Sequence, residues 1–79
     1  MGDDVNVISI FNGIAEGMEK NADRIAKEEQ LIRDAIQPLG KILPENEQEF
    51  INTITASLIL NIEQLRNIAA RLRKMEIHI

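Results

Sequence analysis

Apolar side chains return every three or four residues along two long stretches of this chain, and a short segment with two prolines and a glycine separates the stretches. A helix brings residues three and four apart onto one face, whereas a strand alternates every second residue, so this spacing predicts two amphipathic helices. The first stripe is Ile8, Phe11, Ala15, Met18, Ala22, Ile25, Ile32 and Ile36, with Glu29 standing where an apolar residue is due. The second is Ile51, Ile54, Leu58, Leu65, Ile68, Leu72 and Met75, with Asn61 out of character. Both keep a seven-residue repeat, the pattern of helices packed in coiled-coil fashion.

Pro38 disfavours helical geometry at Gln37, and Gly40 suits a helix C-cap. The first helix is therefore expected over about 8–37, the connection over 38–45 and the second helix over about 46–77. Asn46 with Glu49 three residues on fits a capping box, and Arg71, Arg73 and Lys74 suit the negative end of the second helix dipole. All 79 residues form a single helical domain in this reading. Residues 5–10 are β-branched enough to form a short strand, and Gly13 and Gly17 weaken the helix that follows. The alternative is thus three helices with a break near Gly17 to Asn21.

An antiparallel pairing can be tested by register. Placing Ile32 beside Ile51, Ile25 beside Leu58, Met18 beside Leu65 and Phe11 beside Leu72 satisfies most layers. It also sets Ala22 against Asn61. Charge supports the direction: residues 1–49 hold eleven acids and five bases, and residues 50–79 hold two acids and four bases. Folding the second half back brings Glu16 and Glu19 near Arg66, Arg71 and Arg73.

A lone hairpin needs one apolar stripe per helix, and this sequence has more. Leu58, Ile59, Leu60 and Ile62 surround the second helix at mid-length, and Ile14 and Leu31 lie off the stripe on the first. Each such side chain left in water forgoes roughly 1.5–3 kcal/mol relative to burial. A chain this short gains stability from disulfides, a metal or a partner, and there is no cysteine. The expected supplement is a second copy, giving a four-helix-bundle homodimer, or an unidentified protein partner. Glu29 and Asn61 are then candidates for a polar contact that fixes register between the copies.

The chemical inventory points away from catalysis. The one histidine, His78, stands near the end of the sequence, and no cysteine, tyrosine or tryptophan is present. Ser9 and Ser57 have no base nearby in the expected layers. Neither a cofactor nor a metal is expected, because Glu16, Glu19 and Asp23 lack a Glu-x-x-His companion. Net charge is −4, which disfavours nucleic acid as a partner. No apolar run approaches the roughly 20 residues that cross a bilayer, and the expectation is a cytoplasmic protein without membrane association. The resulting expectation is a non-enzymatic protein–protein interaction module, a self-associating hairpin acting as an adaptor, assembly or chaperone-like subunit. Two other classes fit the sequence: a small phage or mobile-element inhibitor that occludes a host protein, and a nucleotide sponge using Arg24, Arg33 or Arg66 at an oligomer interface.

Overall fold

The computed structural model describes residues 2–75, with side chains from residue 7 onward. The fold is an all-α antiparallel hairpin. Helix α1 spans Gly2–Ile36, a single 3-10 turn covers Gln37–Leu39, and α2 spans Glu45–Arg73. The two helices pack along their length into a rod of 63 × 15 × 12 Å.

Helix α1 starts earlier than its stripe predicts and runs without interruption through Gly13 and Gly17. Neither the strand over 5–10 nor the three-helix alternative is adopted. A short strand has no other strand among the described residues to complete its hydrogen bonds, whereas the same residues continue the helix with its ladder satisfied. Helix α2 stops at Arg73, short of the expected 77, with Lys74 as its C-cap. Residues 76–79, which include His78, lie outside the described residues.

Pro38 closes α1 as expected, but the turn is built differently from the sequence reading. Gly40 has right-handed angles, φ −57° and ψ −30°, so it is not a left-handed cap. A Cβ added there would meet Gln37 O at 3.7 Å, an ordinary contact, so the turn does not require glycine. The capping box at Asn46 is also absent: α2 is capped at Pro44, with no side-chain cap hydrogen bond. The free carbonyls are met instead by Gln48, whose Nε2 donates to Gly40 O at 2.7 Å and to Leu43 O at 2.9 Å. One amide thereby ties the first turn of α2 to the connection.

The seam on α1 follows the expected stripe closely, with Ala15, Ala22 and Glu29 buried and Phe11, Met18, Ile25, Ile32 and Ile36 half-buried. The seam on α2 does not. It passes through Ile51, Thr55, Leu58, Ile62, Leu65, Ala69 and Leu72, while Asn61 and Ile68 are exposed. The register moves with it. Ile51 shares a groove with Ile36, where the sequence reading had set it beside Ile32. Arg66 reaches Asp23 at 3.3 Å and Arg73 pairs with Glu19. The shift is about one helical turn, roughly 5.4 Å. Desolvation explains it, because the observed phase keeps the Asn61 amide in water and buries Ile62 in its place.

Candidate interaction face

The hairpin has little interior of its own. Among the described residues the buried apolar ones are Ala15, Ala22, Ala69 and Ile62, and no large side chain is fully buried. Alanine lets helix axes approach closely but removes little apolar area from water. Accessible surface is 6293 Å². A compact monomer of 8.9 kDa would expose about 4,800 Å², so the rod carries an excess of about 1,500 Å². The radius of gyration tells the same story, at 18.3 Å where a compact chain of this length has about 12 Å.

The two flanks of the seam differ in chemistry. One carries the charges that join the helices: Glu19 with Arg73 and Asp23 with Arg66. Glu16, on the same side, pairs with Lys20 at 3.3 Å. The opposite flank is formed by positions seven apart on each helix. It carries Ile10, Ile14 and Leu31 from α1, and Phe50, Ile68 and Met75 from α2, all exposed. Half-buried Ile54 continues this face. Midway along it lie Asn21 and Asn61, both exposed, and an Arg24–Glu28 pair at 3.2 Å. Apolar groups thus sit toward both ends, with a polar belt between them.

The residues singled out from sequence scatter accordingly. Ile14, Leu31 and Asn61 lie on the apolar flank. Leu58 and Ile62 belong to the hairpin's own seam, so they are not surplus surface, and Ile62 is only 8% exposed. Ile59 is exposed on the charged flank and Leu60 on the outermost ridge of α2. The four apolar residues between Leu58 and Ile62 are therefore divided among three faces and form no continuous patch. Glu29 is 5% exposed in the seam and accepts from Arg33 Nε of its own helix. Asn61 is exposed on a different face, outside the seam.

Phe50, Ile68 and Met75 were missed as surface residues. Ile68 and Met75 fit the seven-residue repeat, so they were assigned to the seam. The usable signal was a second, competing phase through Thr55, Ile62 and Ala69, which smaller and more polar residues make faint.

Each arginine considered for phosphate binding already faces a carboxylate: Arg24 with Glu28, Arg33 with Glu29 and Arg66 with Asp23. Glu16, Glu19 and Asp23 likewise each engage a cation, and among the described residues no cluster of three metal-ligating side chains forms. No described helix is long and apolar enough to cross a membrane. No family model matches the chain, and no curated protein or solved structure matches it.

Proposed function

We propose that this chain is a non-enzymatic interaction module of the cytoplasm, a helical hairpin that reaches its stable state by associating with a second copy and then serves as an adaptor, assembly or chaperone-like subunit. The observation that carries this reading is that, among the described residues, the apolar interior is three alanines and one isoleucine, beside eleven large hydrophobic residues left exposed. Burying even half of the excess surface against another chain would match the roughly 800 Å² per partner of a standard interface. Arg24, Arg33 and Arg66 are dispersed and each faces a carboxylate, which weighs against the nucleotide reading. Ile59 and Leu60, on other sides of α2, remain available to a different protein after self-association.

The test is the solution mass by sedimentation equilibrium. The expected result is about twice 8.9 kDa at micromolar concentration, a usual range for an interface of this size. A well-folded species that stays at the monomer mass up to about 100 μM would overturn the proposal, because that concentration populates even weak dimers.

A further inference from the structure

The α2 side of the apolar flank reads nearly the same in both directions. On α2, positions seven apart run Glu47, Ile54, Asn61, Ile68 and Met75, with Asn61 at the centre and an isoleucine one step to either side. Glu47 at one end corresponds on reversal to the end that carries Arg71. On α1, the corresponding positions are Ile14, Asn21, Glu28 and Ala35, and Arg24 lies beside Glu28 at the middle. A face that maps onto itself when inverted is what an isologous two-fold contact requires, since each patch must meet its own copy.

We propose that a second copy docks on this flank about a two-fold axis perpendicular to the rod, with Asn61 of each chain on the axis and Ile54 of each against the second copy's Ile68. The proposal rests on the self-association reading and specifies its face, direction and centre. The occupant is a second copy for two reasons: the pattern is self-complementary, and the excess surface is of the size a stable dimer needs. Inversion lays Arg24 near the second copy's Glu28 and Glu47 toward its Arg71, which shares the flank position of Phe50, so opposite charges meet. Two facing asparagine amides have a donor and an acceptor each, and can exchange two hydrogen bonds, which satisfies groups that would otherwise be buried without partners. An axis parallel to the rod would instead stack α1 on α2 of the other copy and carry Asn61 away from its equivalent.

The described chain contains no cysteine, so single-cysteine variants report the contact directly. In a glutathione redox buffer, Asn61→Cys is expected to form a covalent dimer at least about tenfold faster than Asn67→Cys on the outer ridge, because a disulfide needs Cα atoms within about 7 Å. Ile54→Cys and Ile68→Cys are each expected to cross-link poorly alone and readily when mixed. A second measurement needs no change to the apolar residues. Arg24→Glu and Glu28→Arg each place like charges together across the axis, and each is expected to weaken the dimer roughly tenfold. An equimolar mixture is expected to recover a heterodimer, which pairing within one helix cannot produce. A dimeric wild type in which Asn61→Cys reacts no faster than Asn67→Cys, or in which the charge variants fail to rescue each other, overturns this arrangement but not self-association. Cross-linking of Asn61→Cys to Asn21→Cys in preference to itself assigns the parallel axis instead. A monomeric wild type overturns both.

Discussion

Glu29 is the residue at which the seam is least comfortable. Its carboxylate lies in the helix interface at a position that elsewhere holds alanine or isoleucine, and its ion-pair partner Arg33 is itself more than half exposed. A buried pair of this kind loses much of its attraction to desolvation, and apolar replacements are often neutral or stabilising by 1–4 kcal/mol. Glu29→Leu is therefore expected to raise the melting temperature measured by circular dichroism, while Arg33→Ala lowers it by leaving the acid unpaired. Gly13 offers a simpler gain. Nothing lies within 4 Å of a Cβ built there, so Gly13→Ala is expected to stabilise the helix by about 1 kcal/mol, worth roughly 4–8 °C in a domain of this size. An unchanged melting temperature would mean that this part of α1 contributes nothing to the cooperative unit.

At the scale of elements, the connection depends on one side chain that no turn motif announces. Gln48 spans two carbonyls of the turn, and Gln48→Ala is expected to lower unfolding free energy by about 1–3 kcal/mol in a denaturant titration, since the carbonyls lose their donors in a half-buried setting. The same comparison shows what could be read in advance. Helix α1, its face and its end at Pro38 were legible because its stripe runs in one phase and proline acts through its own backbone. Helix α2 was legible as a helix but not as a register. Its apolar residues satisfy two phases that share Ile51, Leu58, Leu65 and Leu72 and differ at Ile54 or Thr55, Asn61 or Ile62, and Ile68 or Ala69; of these, only the choice between Asn61 and Ile62 favours the observed phase. That choice is made by desolvation against the opposite helix, which no single segment encodes. The surface face followed the same ambiguity: Ile14 and Leu31 were recognised because they leave a clear stripe, whereas Ile68 was concealed within one.

For the whole molecule, slenderness decides the energetics. A rod two helices thick has no layer shielded from both sides, so its stability is expected to depend on how much chain is present. If folding and association are coupled, a tenfold rise in protein concentration contributes about 1.4 kcal/mol. The midpoint of thermal unfolding should then climb by about 3–6 °C for each such step. A midpoint independent of concentration from 1 to 100 μM would show instead that the hairpin stands alone.

The alanine-lined seam has a consequence for life inside a cell. On the proposed self-association, a protomer held together so lightly would have no durable solitary form, so newly made chains that did not meet a mate would be open to proteases without a dedicated regulator. Copy number itself would then become the switch, with abundance below the association threshold read out as absence.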